Sequence, residues 1–142
     1  MSTLGNAITA AASALNAQRA RLEVAVSNIA NAESTRGPDG QPYRRRDVVL
    51  AATPVDPFDA ALGQAAAMGV QVVQVVEDTE PFRMRYEPSH PDADANGYLA
   101  VPNVDVPEEM VDMLGAARAY QANLAAIGLI KDMVNKALEL GR

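Results

Sequence analysis

The sequence predicts an α+β fold in which long N- and C-terminal helices pack as a coiled coil, with a small β-rich insert between them. Apolar residues recur every three or four positions at both ends of the chain, which is the spacing of an amphipathic helix. Seven of the nine prolines fall between residues 38 and 91, where valine-rich segments alternate with turn residues. These observations divide the chain into a helix at 1–33, an insert at 34–104 and a second helix at 105–142.

The first element is a helix predicted over residues 2–31, about 45 Å long at 1.5 Å per residue. Its apolar positions keep the heptad spacing of a coiled-coil seam for nearly four heptads, with one polar position. The seam consists of Leu4, Ile8, Ala11, Leu15, Gln18, Leu22, Ala25 and Ile29. Because this stripe is narrow and partly alanine, the isolated helix is marginal in water.

The insert is predicted to hold four short strands. Residues 43–51 and 69–77 are rich in valine, and both segments read as strands. Phe82, Met84 and Tyr86 alternate with arginines, which is typical of a half-buried strand. Residues 97–101 predict a further short strand, whereas residues 51–68 are compatible with either a loop or a short helix.

The last element is a helix predicted over residues 107–140. Asp105 is a suitable N-cap, and Pro107 suits a first helical turn. The acidic residues Glu108, Glu109 and Asp112 at its start complement the helix dipole. Its seam consists of Met110, Met113, Ala117, Tyr120, Leu124, Ile127, Val134 and Leu138.

Composition excludes several classes of function. The chain has 142 residues, no cysteine, one histidine and a net charge of −6. It therefore has no disulfide or thiolate metal site, and a metal site with two histidines is impossible. An acidic chain is also a poor nucleic-acid binder, since a basic face supplies most of that affinity. We predict no catalytic, metal or cofactor-binding residue, no cofactor and no small-molecule substrate, so the chain is not expected to be an enzyme.

Three groups of charged residues can each be interpreted as a functional site or, more simply, as an ordinary structural feature. His90 beside Asp92 could be a catalytic pair, but the flanking prolines favour a solvated turn. Residues 44–46, three arginines, could bind phosphate, although such a run is more often a solvated face or a salt-bridge donor to another subunit. The acidic group at 108–112 could bind a metal, although its place in a first helical turn explains it.

Polar residues lie on or beside both seams, and their role is left open by the sequence. Such amides either fix the register of a coiled coil or face water. The residues are Gln18, Asn28, Asn31, Gln121 and Asn123. The two long helices are equally compatible with a free-standing coiled-coil core and with a seam for other chains.

Specific strings along the whole chain resemble the flagellar rod and hook family. They include residues 14–19 (ALNAQR), 27–32 (SNIANA), 42–45 (PYRR), 90–93 (HPDA), 102–105 (PNVD) and 118–123 (RAYQAN). The first and last blocks are shared by rod and hook relatives. The resemblance to the proximal-rod type is favoured by the signature Pro42, Tyr43, Arg44 and Arg45 and by the His-Pro-Asp string.

The resemblance implies a structural subunit that polymerises through axial terminal helices, with the insert facing outward. It implies a periplasmic drive shaft of the basal body, which transmits torque from motor to hook and surrounds the export channel. Implied partners are other proximal-rod subunits, the distal rod protein, the membrane ring and export apparatus at the base, and further copies of the chain. Type III export without a cleaved signal peptide is also implied, and the absence of a basic leader before Arg19 agrees with it.

The seams and the polar residues beside them give a predicted subunit interface. Its members are Leu4, Ile8, Leu15, Gln18, Leu22, Asn28, Ile29, Asn31, Met110, Met113, Tyr120, Asn123, Leu124, Ile127, Val134 and Leu138. An alternative function is a soluble helical adaptor or export chaperone that binds a partner helix. A small hydrolase that uses His90 is a third hypothesis.

Overall fold

A computed structural model describes residues 3–57, 61 and 67–140 of the chain and confirms the predicted α+β class. Within these residues, four strands lie between two long helices in the chain order. In chain order the elements are α1 (Thr3–Ala30), β1 (Arg46–Pro54), β2 (Met68–Glu77), β3 (Arg83–Tyr86), β4 (Tyr98–Val101) and α2 (Val106–Leu140). Both helices begin and end within about two residues of the predicted bounds, which is the usual scatter of helix ends.

Helix α2 begins where the predicted cap places it. The Oδ1 atom of Asp105 accepts a hydrogen bond from the backbone N–H of Glu108 at 3.3 Å. The carbonyl of Asp105 accepts a second bond from the N–H of Glu109 at 3.0 Å. The first bond satisfies an N–H group that a helix start leaves without an intrahelical partner, and the second is the first backbone bond of the helix itself.

The two helices pack along each other in antiparallel directions. Asn28, near the end of α1, contacts Glu109, at the start of α2, and the helices remain in contact beyond that point. Because both helices rise about 1.5 Å per residue, Thr3 lies level with about residue 134. Residues 135–140 of α2 extend past that level, and all six are exposed.

The strands form two separate two-stranded antiparallel sheets, β1–β2 and β3–β4. Strand β1 starts at Arg46, three residues later than predicted, because the residues before it take part in contacts with the helices. The pairing of β1 with β2 contains a bulge between Val49 and Leu50. The Val55 N–H donates to the carbonyl of Ala67 at 2.8 Å, which continues the pairing beyond Pro54. Residues 51–68 were expected to form either a loop or a short helix, and part of this segment, 58–60 and 62–66, lies outside the described residues.

The predicted half-buried face of β3 is wrong. Met84 and Tyr86 are 59% and 64% exposed. The inward face of the β3–β4 sheet is supplied by β4, whose Leu99 and Val101 are buried opposite Arg85 and Arg83. Directly paired residues share a face of a sheet, so Met84 and Tyr86 necessarily lie on the outer face.

Helix α1 is attached to the β1–β2 sheet through Ser13. Its Oγ donates to the carbonyl of Ala10 at 2.7 Å and accepts the N–H of Val70 at 3.0 Å. The approach is close enough that a Cβ added at Gly69 would lie 2.8 Å from the Ser13 Oγ. Glycine at position 69 therefore lets the strand reach the helix.

The apolar core is small. Its buried members are Ala17, Ala25, Leu99, Val101, Val104 and Ala116. The buried residues of α1 also include Asn6 and Asn28. Ala25 is the only residue of the predicted seam that is buried. The rest of that seam is half-buried, apart from Leu4, which is 37% exposed. Among the described residues, neither helix is apolar enough over a sufficient length to cross a membrane.

We expect Gly69→Ala to lower the free energy of unfolding by about 1–2 kcal/mol, because Ser13 must move and lose its bond to Val70. Gly115→Ala is the matched control. Gly115 lies in α2 with open space around it, so the same change should raise stability by about 1 kcal/mol. Urea unfolding of the two variants measures the difference, and equal effects would contradict the assigned contact.

Candidate functional site

A cluster of polar side chains joins the two helices to the insert at one end of the helical pair. We call Asn28, Tyr43, Arg45, Arg46 and Glu109 the junction cluster. Asn28 comes from the last two turns of α1, and Glu109 comes from the first turn of α2. The other three residues lie in or just before β1, so the cluster ties together three parts of the sequence.

The side-chain amide of Asn28 uses all of its hydrogen-bonding capacity inside the chain. Its Nδ2 donates to the Arg46 carbonyl at 2.8 Å and to Glu109 Oε2 at 3.0 Å. Its Oδ1 accepts the Arg46 N–H at 2.9 Å and the Tyr43 hydroxyl at 2.9 Å. Asn28 thus pairs with both backbone groups of Arg46, as a neighbouring strand would, and sets the point at which β1 begins.

Glu109 carries a buried charge that is matched by Arg45. Glu109 is 2% exposed, and its Oε1 accepts a bond from Arg45 Nε at 2.6 Å. Burial lowers the pKa of Arg45, but the hydrogen bond and the charge of Glu109 outweigh that effect and hold the pKa above its ordinary value. Removal of either partner would leave the other charge buried and unpaired, which is strongly destabilising.

The flanking arginines also have partners within the chain. Arg46 forms an ion pair with Glu77 across the sheet at 3.1 Å, and its guanidinium lies 5.6 Å from the centroid of the Tyr43 ring. Arg44 stacks over the Phe82 ring at 4.5 Å and donates to the Asp78 carbonyl at 3.3 Å. The three consecutive arginines are therefore used to fasten the insert, and this geometry favours neither a phosphate patch nor a purely solvated face.

A second polar contact joins the loop after β3 to the segment that follows α1. Asp92 accepts the Thr35 hydroxyl at 2.9 Å and an Arg36 N–H at 3.4 Å. The Nδ1 atom of His90 accepts the backbone N–H of Asp92 at 3.1 Å. His90 therefore occupies a turn, as the simpler reading predicted, and the Asp92 carboxylate is bonded to other groups.

The space between the buried members of the junction cluster is small, whereas an open groove of about 680 Å³ borders Tyr43, Arg46 and Glu77. A crevice of about 20 Å³ lies between Arg21, Asn28, Arg45 and Glu109, which is room for about one water molecule. Among residues 3–57, 61 and 67–140, no three His, Asp or Glu side chains stand close enough together to hold a metal ion. The acidic residues at the start of α2 are thus divided, with Glu109 turned inward and Glu108 and Asp112 exposed.

The structure separates the predicted interface residues into two groups. Asn28 is 1% exposed and belongs to the junction cluster. Asn31, directly after α1, bonds to the Ser27 carbonyl, and Asn123 bonds to the Ala119 carbonyl within α2. The remaining members of the predicted interface lie half-buried or exposed along the helical pair, so their side chains are partly accessible to other chains.

Sequence reasoning missed the pairing of Arg45 with Glu109, because the two residues are 64 positions apart. It singled out both residues for other reasons, one as part of a family signature and the other as part of an acidic first turn. The charges themselves offered a signal. The basic residues at 44–46 lie at the start of the first predicted strand, and the acidic residues at 108–112 follow the last one.

Comparisons with known proteins agree on one family. Residues 8–38 match a family described as flagella basal body rod protein, and residues 95–140 match the C-terminal family of flagellar basal body rod FlgEFG proteins. The flagellar basal-body rod protein FlgC of Salmonella typhimurium is 50% identical over 137 residues, covering 96% of this chain and 97% of the relative. FlgC of Bacillus subtilis is 40% identical over 150 residues, covering 99% of each chain.

We expect Asn28→Asp to lower the free energy of unfolding by about 3 kcal/mol or more, because it removes two donors and places a second carboxylate against Glu109. Asn16→Asp is the matched control, since Asn16 is exposed on the same helix, and we expect a change within about 0.5 kcal/mol. Chemical denaturation of both variants measures the difference. Equal stabilities would show that the Asn28 amide does not hold the junction.

Proposed function

The chain belongs to the FlgC family of flagellar basal-body rod proteins and is a structural subunit of that rod, and we propose that it builds the proximal segment of the rod by polymerising through its terminal helices. The observation that carries this proposal is the identity of 36–50% to FlgC proteins over nearly the full length of both chains. A relationship that covers 96–99% of the chain includes both helices and the insert.

We propose that the helices at 1–33 and 105–142 form the contacts of assembly and that the insert at 34–104 faces outward. Apolar exposure supports this assignment. Leu114, Leu124, Leu129 and Met133 on α2 are each more than half exposed, and the seam of α1 is mostly only half-buried. Contacts with neighbouring subunits would remove this surface from water, at roughly 25 cal/mol per Å².

Assembly with other rod and basal-body components follows from the family. More specifically, we propose contacts with other proximal-rod subunits, with the distal rod protein, with the membrane ring and export apparatus at the base, and with further copies of the chain. The drive shaft so formed would transmit torque from motor to hook and surround the export channel. When the helices of several neighbouring subunits pack on this seam, many contacts act in parallel and resist twisting of the rod.

The chain's place is the flagellar basal body. Within it, we propose a periplasmic position reached by type III export without a cleaved signal peptide.

We further propose that the protein has no catalytic activity. The His90 and Asp92 pair that a hydrolase would need is engaged in a turn and in bonds to Thr35 and Arg36. No contact or comparison favours the alternative of a helical adaptor or export chaperone. Such an adaptor would form a stable dimer at low concentration and no higher assemblies, and sedimentation distinguishes these cases.

We expect Leu15→Asp combined with Leu124→Asp to abolish rod assembly and swimming while leaving expression intact, because assembly would bury unpaired carboxylates. The control is Leu15→Met with Leu124→Met, which conserves volume and polarity and should swim normally. Soft-agar motility and electron microscopy of purified basal bodies provide the readouts. Normal swimming of the double aspartate variant would contradict the assignment of these positions to an interface.

We also expect hydrogen exchange of the dilute monomer to be fastest in the first half of α1 and to slow toward the junction cluster. The polar network around Asn28 holds one end of the helix and the bond to Val70 holds it at Ser13, whereas ordering of the turns before Ser13 is coupled to assembly. The same amides should become protected in assembled rods. Strong and uniform protection of residues 4–30 in the monomer would rule out coupled ordering.

A further inference from the structure

An open groove lies between the segment that follows α1 and the start of β1. We call it the arginine groove, because Arg36, Arg44 and Arg46 all line it. Its volume of about 680 Å³ lies within the range of roughly 300–1,000 Å³ that is typical of ligand sites. The arginine groove is therefore large enough for a short segment of another chain, and it is far larger than a single ion requires.

One wall of the groove is a loop whose ends are fastened together. The Tyr43 N–H donates to the Ser34 carbonyl at 3.1 Å, and the Gly37 N–H donates to the Gln41 carbonyl at 2.6 Å. The Tyr43 hydroxyl in turn donates to Asn28 Oδ1 at 2.9 Å. The wall is thus attached to the junction cluster, and a ligand would bind without having to order it first, which lowers the cost of binding.

The opposite wall carries two arginines on the same side of the chain. Arg45 turns inward to Glu109, whereas Arg44 and Arg46 both line the groove. This alternation is that of an extended chain, in which residues two positions apart share a side and lie about 6.6 Å from each other. An extended ligand has the same repeat, so acidic side chains at its alternate positions would face both arginines.

Within the described part of the chain, the three guanidinium groups use a minority of their N–H donors. A guanidinium has five of them. Arg36 gives one to Asp92 at 3.4 Å, and Arg46 gives one to Glu77 at 3.1 Å. Arg44 donates through a single nitrogen to two backbone carbonyls. Each arginine therefore keeps donors for a carboxylate, which a guanidinium fork can hold with two parallel bonds.

The charge of the groove is opposite in sign to that of the chain. Its three arginines face two carboxylates, Asp39 and Glu77, whereas the whole chain carries a net charge of −6. Asp39 also accepts the N–H of Gln41 at 3.3 Å within the loop. A long polyanion would meet the negative surface beyond the groove and be repelled, whereas a short acidic segment would meet mainly the arginines.

We propose that the arginine groove binds an extended acidic segment of a partner protein, with carboxylates at alternate positions on Arg44 and Arg46 and a further one on Arg36. Pro42 and the Tyr43 ring also line the groove, and they offer a rigid apolar surface to the rest of the ligand. Acidic segments are recognised by clustered arginines in other settings as well. The inference goes beyond the proposed assembly, because the groove lies apart from the helix seams.

The test titrates the purified full-length chain with a fluorescein-labelled six-residue peptide of alternating glutamate and serine. The control ligand has glutamine in place of each glutamate, which keeps the length and nearly the shape but removes the charge. Fluorescence anisotropy should show binding of the glutamate peptide that is about tenfold tighter or more. The affinity should fall as salt shortens the screening length from about 10 Å at 0.1 M to about 3 Å at 1 M.

Arg36→Gln combined with Arg46→Gln should weaken the binding of the glutamate peptide by about tenfold or more. Both arginines are exposed and form surface ion pairs, so we expect the fold to persist by circular dichroism. The matched control is Arg19→Gln with Lys136→Gln, which makes the same change in net charge at exposed positions of the helices. The control protein should bind the peptide as the unaltered chain does.

Amide resonances of the isotope-labelled chain identify the place of binding. The glutamate peptide should shift amides within residues 31–46 and that of Glu77. No binding, equal affinity for the two peptides, unchanged affinity of the arginine double variant, or shifts elsewhere would each overturn the groove assignment and leave the rod function standing. Inorganic phosphate that shifts the same amides as strongly at equal concentration would overturn it too, because the groove would then be a simple anion site.

Discussion

The fold depends on the side-chain amide of Asn28, which takes the place of a strand beside the first residue of β1. Four hydrogen bonds join it to the Arg46 backbone, Tyr43 and Glu109. An apolar side chain at position 28 could fill the same volume, but it would leave the Arg46 N–H and carbonyl unpaired. Because directional bonds fix both distance and angle, this residue determines how the insert leaves the helices.

Polar bonds have this role because the chain has little apolar core to offer. The buried apolar side chains are mostly alanine and valine, and Leu99 is the largest of them. Each alanine contributes little buried area, so the helices gain only modest stability from packing on each other. The buried pair of Arg45 and Glu109 joins insert to helix with a specific geometry, although replacement of such a pair by well-packed apolar residues is often neutral for stability.

The sequence predicts the elements well and the long-range contacts poorly. Helix bounds follow from local signals, namely apolar spacing and the Asp105 cap. The start of β1 was misplaced because Tyr43 and Arg45 look like strand residues but contact the helices. The pairing of Glu109 with Arg45 has no local signature, and the helix dipole already explained an acidic residue at position 109. Alternation in β3 predicts two faces, but only the packing of β4 decides which face is buried.

The two ends of the helical pair are stabilised by different interactions, and this difference determines what each can do. At the junction cluster, buried hydrogen bonds hold a fixed geometry within one chain. Farther along α2, the apolar side chains of Leu124 and Leu129 are exposed, and the burial of such surface is non-directional. Apolar burial alone would let neighbouring helices slide past one another. Register must therefore come from charged side chains that flank the exposed leucines of α2, such as Arg118 and Lys131, because displaced alignments would press them against apolar surface.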